Sequence, residues 1–253
     1  MSGHSKWSSI KHQKAVTDAR RGQLFTKLTR DIIVAVRQGG SNPEANFLLR
    51  LAIQKARDNN MPMDNIERAI KRGSGTAEGA NLVELTLEGY GPGGAAILVQ
   101  ALSDNRNRTL QEVRNVFSRS GGSLGESGCV AWLFDLRGLI SVETNDLDAE
   151  ELALQAIDAG AEDVKVENSH VEIYTKPEEL EAVRAALEQQ SVHVASAELS
   201  MIPKTTVELE EKIALQTLRL LDKLEELDDI QNVSSNADFP NAVLEKYQLQ
   251  VQG

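Results

Sequence analysis

The sequence predicts an α+β protein of three domains: an N-terminal three-helix domain, a discontinuous α/β middle domain, and an inserted ferredoxin-like β-α-β-β-α-β domain. Three observations predict it. Apolar residues repeat at three- and four-residue spacing from 17 to 79, the helical period, and give way to strand-like alternation from 82 onward. Between 139 and 202 the patterned segments follow the order of a split βαβ unit that is complete in itself. The charge divides at the same boundary as the period. Residues 1–79 hold 14 Lys and Arg against 7 Asp and Glu, a net of +7, whereas residues 80–253 hold 13 against 31, a net of −18, within a whole-chain charge of −11. A basic module on an acidic body suits a protein that brings one end to a polyanion and repels it from the rest. The plainer reading of such a cluster is a solvated face.

The first helix starts at Thr17 or Asp18 and ends at Gly39 and Gly40, with Leu24, Phe25, Leu28, Ile32 and Val36 on one face. At about 100° per residue, Arg20, Lys27, Arg30 and Arg37 fall within an arc of roughly 100° on the opposite side, a basic stripe. Asn42 as N-cap with Pro43 behind it opens the second helix, carrying Phe47, Leu48, Leu51, Ile53 and Ala56. The third opens at Asp64 with Glu67 as a capping box, runs through Ile66, Ala69 and Ile70 to Gly73, and ends basic at Arg68, Lys71 and Arg72. Ahead of the bundle, Gly3 to Trp7 with Lys11, His12 and Lys14 has too few apolar positions to pack alone and reads as a flexible arm. Trp7 beside Lys6 either stacks on a nucleobase or pins the arm to the bundle. Met61 and Met63 either fold back into the core or make an adaptable contact at a loop tip.

In the body, 82–87 and 95–101 alternate as strands around Gly89-Tyr90-Gly91-Pro92-Gly93-Gly94. That centre matches G-x-G-x-x-G, but Pro92-Gly93 is a turn pair and no crossover helix follows, so the dinucleotide reading is rejected. Asp104 to Thr109 then leads a helix with Leu110, Val113, Val116 and Phe117, ending at Gly121-Gly122. Asn105, Arg106 and Arg108 crowd a helix start, where the dipole favours anions. They are candidates for an external phosphate, or else the arginines pair with nearby carboxylates. Cys129, the single cysteine, excludes an intrachain disulfide and with Val130, Ala131 and Trp132 after it reads as a core thiol.

From 139 the order is strand 139–143, helix 148–159, strands 163–167 and 170–174, helix 177–189, strand 194–201. A helix over 207–227 with Leu215, Leu218, Leu221 and Leu224, and a strand over 230–234, would return to complete the middle domain. The expected limits are 1–79; 80–136 with 204–240; 137–203; and 241–253 as a tail without strong pattern.

Several long motifs lie in order along the chain: Gly3 to Trp7, Asp18 to Lys27, Asn59-Asn60-Met61-Pro62, Glu88 to Gly94, Ser103 to Thr109 and Gly121 to Glu126. On them the sequence resembles the YebC/PmpR family to about residue 240. The resemblance implies three domains and no catalytic residue or cofactor. It also implies a DNA-binding transcriptional regulator, with mitochondrial relatives that activate translation of cytochrome c oxidase subunit I and bacterial members connected with ribosomes stalled on proline-rich sequence.

Other classes find little support in the residues. His4, His12, His170 and His193 are dispersed without metal-ligand spacing, and no nucleophile motif is present. No run approaches the roughly 18 apolar residues of a membrane span and no secretory signal is seen, so the expected compartment is the cytoplasm. An enzyme is the weakest reading, and neither metal, cofactor, membrane nor small-molecule substrate is expected. The first reading is a DNA-binding regulator; the second is an RNA- or ribosome-associated translation factor, since phosphate contact is better supported than base readout. The nucleic-acid-binding candidates are Lys6, Trp7, Lys11, His12, Lys14, Arg20, Arg21, Lys27, Arg30, Arg37, Arg68, Lys71, Arg72, Asn105, Arg106 and Arg108. Oligomeric state and target sequence are left open.

Overall fold

The structure is a computed structural model and describes residues 18–75, 82–144, 148–166 and 170–252. Its helical domain consists of α1 (Asp18–Gly39), α2 (Phe47–Asp58) and α3 (Met63–Ser74). Leu28, Ile32, Val36, Leu49, Ile53, Ile66 and Ala69 form its core, which joins the apolar positions that the helical period had grouped. The second helix starts four residues later than the expected Pro43. Its N-cap is Asn46, whose Oδ1 accepts from the Leu49 amide at 3.1 Å. Asn42 instead organises the preceding turn by accepting from the Glu44 amide. Asn46 prevails because its Nδ2 also donates to the Ala35 and Gly40 carbonyls at 2.7 and 2.8 Å, tying α2 to the end of α1. Gly39 leaves room for it: a Cβ there would sit 2.6 Å from Asn46 Cγ. The third helix follows Pro62, and Asp64 lies inside its first turn rather than at a capping box.

The middle domain is built on a four-stranded antiparallel sheet in the order β3 (Ser123–Leu124), β1 (Val83–Tyr90), β2 (Ala96–Ser103), β9 (Ile230–Ser235). The strand β9 comes from the far side of the inserted domain, so the sheet is completed only when the chain returns. One face is covered by α4 (Arg106–Arg119) and α7 (Glu211–Glu225), with Leu85, Val113, Phe117, Leu218, Leu221 and Leu224 in the shared core. The leucine stripe is therefore packing. Pro92–Gly94 is a single 3₁₀ turn joining β1 to β2, and Gly93 there adopts φ +73°, which confirms a turn and not a nucleotide loop. The short strands β8 (Val207–Glu208) and β10 (Ala237–Asp238) pair in parallel. Asn241–Gln252, expected as a patternless tail, forms α8: Val243, Leu244 and Tyr247 are buried in the same core and Tyr247 donates to Asp222.

The ferredoxin-like domain runs β4 (Phe134–Glu143), α5 (Ala149–Asp158), β5 (Asp163–Val166), β6 (His170–Thr175), α6 (Leu180–Gln189), β7 (Val194–Pro203). Its sheet order β5-β6-β4-β7 is antiparallel throughout. Asp148 caps α5 by accepting from Glu150 and Glu151 amides, while 177–179 forms a 3₁₀ turn ahead of α6. The strand β4 starts five residues before the expected 139 because Phe134 to Gly138 pairs with Leu199 to Pro203. Phe134 and Met201 on that extension pack with Ala96, Leu98 and Val130, so the long β4–β7 pair is also the joint to the middle domain. Cys129 is only half-buried beside this joint, and Trp132 is 66% exposed, so the segment is not the core run the sequence suggested. The loop is fastened by Glu88, whose buried carboxylate accepts from the Gly128, Val130 and Ala131 amides at 2.6 to 2.8 Å, so that Val130 is buried in the joint while Trp132 stays outside.

Candidate nucleic-acid interface

Lys6, Trp7, Lys11, His12 and Lys14 lie outside the described residues, and Arg20 is placed only as part of the α1 backbone. The remaining stripe on α1 does not face solvent as a unit. Lys27 Nζ donates to the Glu225 carbonyl at 2.6 Å, and Arg30 Nη1 donates to the Asp228 carbonyl at 2.6 Å and to Asp229 Oδ1 at 3.0 Å. Both are anchors to the middle domain. The helix face opposite the bundle's own core is the face against which the rest of the protein docks, and carbonyls and carboxylates of the α7–β9 corner take up its cations. Arg37, near the other end of the helix, is exposed. The ferredoxin-like domain is held in the same charged manner, through Arg50–Glu181 at 2.8 Å, Lys55–Glu198 at 3.1 Å and Arg184–Asp58 at 3.6 Å. Glu198 beside it holds the half-buried Lys55 ammonium above the ordinary lysine pKa, against the opposing effect of desolvation.

Besides Arg37, the exposed cations of the helical domain are Arg21, Arg57 and the basic end of α3. Arg21 lies over the Phe25 ring at 5.6 Å from its centroid. Arg68, Lys71 and Arg72 are exposed; Arg68 Nε donates to the Asp64 carbonyl at 3.1 Å, and its Nη2 bonds Asn65.

At the head of α4, Asn105 is the N-cap, accepting from the Arg108 amide at 3.1 Å. Arg106 is exposed and makes no ion pair among the described residues. Arg108 is partly committed: its Nη2 reaches Asp104 Oδ1 at 2.8 Å and Asp229 Oδ2 at 2.7 Å. Thus the pairing with local carboxylates, one of the two readings of this segment, holds for Arg108. Asp229 is a hub, because the same carboxylate also accepts from Ser103 Oγ at 3.0 Å and Thr109 Oγ1 at 2.6 Å. Burial opposes its charge, but the hydrogen bonds from Arg108, Thr109 and Ser103 outweigh it and hold its pKa below the ordinary carboxylate value. Arg30 and Arg108, from two domains, are thereby fixed on one anion.

Sequence reasoning missed Arg114 and Arg119. The outward face of α4 carries Asn107, Arg108, Gln111, Arg114, Asn115, Ser118 and Arg119, all exposed, and no acid; Glu112 is half-buried at its edge. The signal was available: this helix holds four Arg and one Glu in a segment of the chain with more than twice as many acids as bases. At 1.5 Å per residue the arginines are spread along roughly 20 Å of helix. A cleft of about 410 Å³ lies between the helical domain and the residues ahead of α4, with Phe25, Thr29, Met61, Asn65 and Arg72 on one side and Leu82 and Asp104 on the other. Among the described residues no group of His, Cys, Asp or Glu is placed to hold a metal ion.

Residues 5–76 match the family described as TACO1/YebC protein N-terminal domain, and residues 82–237 match TACO1/YebC second and third domain. The chain belongs to the TACO1/YebC family. A Dehalococcoides mccartyi relative is 64% identical over 99% of this chain and 100% of its own length, and one from Natranaerobius thermophilus is 51% identical over 97% and 99%. Both bear the name "Probable transcriptional regulatory protein". A solved structure, the conserved hypothetical protein Aq1575 from Aquifex aeolicus, is 50% identical and superposes with a TM-score of 0.84 over 91% of this chain and 96% of that one. The three-domain α+β architecture is therefore shared across the family.

Proposed function

We propose that this protein is a nucleic-acid-binding regulator of gene expression that acts on DNA in the cytoplasm, gripping the phosphate backbone rather than reading bases. The observation that carries the reading is the acid-free outer face of α4, with Arg114 and Arg119, on an otherwise acidic body, together with the exposed Arg68, Lys71 and Arg72 of α3 on the basic helical domain. Arginines so arranged release counterions from a phosphate backbone, while the acidic remainder is repelled. The names of the relatives point to transcription. Among the described residues no helix is long and apolar enough to cross a membrane, in keeping with a soluble partner. Arg21, Arg72, Arg106 and Arg108 are assigned as further phosphate contacts, with Asn105 setting the start of the helix that carries two of them; Lys27 and Arg30 position the domain instead.

The test is cross-linking in cells followed by sequencing of bound DNA and RNA, with sedimentation of ribosomes in parallel. Enrichment of promoter DNA is the expected outcome. Co-sedimentation with ribosomal particles and no promoter enrichment overturns the DNA reading in favour of RNA.

A further inference from the structure

The cleft between α1, α3 and the head of α4 has the composition of a base pocket more than of a phosphate groove. Its volume of about 410 Å³ lies in the range of small-ligand sites. The apolar wall is Phe25, Ile33 and Met61, with Leu82 opposite. Met61 is returned beneath the bundle by Asn60, which adopts φ +56°, and the Met61 amide donates to the Ala56 carbonyl at 2.9 Å, so the thioether is held in place. Phe25 is partly buried against the same core and lines the cleft, an aromatic side chain of the kind on which unstacked bases rest.

Of the polar groups on the wall, Arg30 is committed to Asp229 and Thr26 to the Gly22 carbonyl, which leaves Thr29, Asn65 and Arg72. Thr29 Oγ1 gives its proton to the Phe25 carbonyl at 2.7 Å, which leaves its oxygen as an acceptor. The Asn65 amide group has no acceptor among the described residues, its oxygen being taken by Arg68, and so it offers a donor. Arg72, exposed at the rim, makes no ion pair among the described residues. The one acid on the wall, Asp104, is neutralised by Arg108. One donor, one acceptor, an apolar slot and a cation at the mouth match an unpaired nucleotide: base inside, phosphate outside.

We propose that this cleft is a subsite for one unpaired nucleotide of the bound DNA, its base against Phe25, Ile33 and Met61, its edge on Thr29 and Asn65, and its phosphate at Arg72. The inference rests on the DNA-binding reading above. Its consequence is a preference for DNA in which a base is already out of the stack over a perfect duplex.

The experiment uses the full chain and two duplexes that differ by a single bulged 5-iodo-deoxyuridine, with the same bulge made abasic as control. The bulged duplex should bind about tenfold tighter than the perfect one, and the abasic bulge should lose that gain. Ultraviolet cross-linking should place the base on Phe25 or Met61. The double variant Thr29→Val with Asn65→Ala, which removes both contacts to the base edge, should reduce the preference to less than about twofold while binding to perfect duplex persists through α4. Equal binding of bulged and perfect duplex, or cross-links confined to residues 106–119, overturns the subsite and leaves the DNA reading standing. Binding to neither duplex overturns both, and binding only to the RNA counterpart overturns the commitment to DNA.

Discussion

Two arginine-bearing helices, α1 of the helical domain and α4 of the middle domain, put the same side chain to opposite uses. The first lies in the basic third of the chain and turns Lys27 and Arg30 inward, onto a carbonyl at Glu225 and the carboxylate of Asp229. The second lies in a segment of net charge −18 and turns Arg114 and Arg119 outward. A guanidinium near many acids of its own chain need not pair with them, and one in a basic domain need not be available to a ligand. The difference is decided by what packs on the helix. Asp229 stands where the two helices meet and holds an arginine from each.

The strongest way to break the comparison is to remove that shared anion. Replacing Asp229 with Ala should cost about 3–5 kcal/mol, because two guanidiniums and two hydroxyls lose a buried partner. Urea unfolding measures the loss, and small-angle scattering should show the helical domain swung away; a variant with unchanged stability would mean that the hub is incidental.

Next in size is charge reversal on the outer helix. Arg106→Glu, Arg114→Glu and Arg119→Glu together should weaken duplex binding by about 3 kcal/mol, over 100-fold, with the fold intact by circular dichroism. Unaltered affinity would make α4 a solvated face.

The pH response separates the anchors. The pKa of Asp229 is depressed in the folded state, so its contribution is present above the ordinary 3.8 and disappears as pH falls through the lower folded value. Lys55 is raised, so its contribution is present below the ordinary 10.5 and disappears only as pH rises beyond it. Scattering against pH should therefore show the helical domain loosening from the middle domain in acid, while strong alkali weakens its Lys55 hold on the ferredoxin-like domain and spares the Asp229 anchor; a domain arrangement insensitive to acid would refute the Asp229 anchor.

The smallest effect is the most direct contrast. Lys27→Ala should lower stability by no more than about 1 kcal/mol and leave the salt dependence of DNA binding unchanged, whereas Arg119→Ala should reduce its slope by about 0.9. Equal slopes would erase the distinction between the helices.

Much of the architecture was legible before any coordinates. The three-and-four spacing of Leu28, Ile32 and Val36 placed α1, and the strand and helix order after residue 138 announced the inserted domain. The misses have specific causes. Asn42 and Asn46 are both acceptable caps, and only the Ala35 and Gly40 carbonyls of another helix choose between them. The helix α8 offers three buried apolar residues and no strong start, and owes its order to packing on α7. On the interface side, Arg72, Arg106 and Arg108 were legible as basic clusters, while Arg114 and Arg119 were hidden by counting charge over the whole body rather than per helix face.

The sequence by itself determined the periods, the turns and the number of charges of each sign, because these depend on neighbours along the chain. Only the tertiary structure decided which charges meet solvent. Arg108 and Asp229 are 121 residues apart and Lys27 and Glu225 are 198 apart, and exposure is set by whatever such distant segments bring against a helix face. Local pattern carries no information about that covering surface.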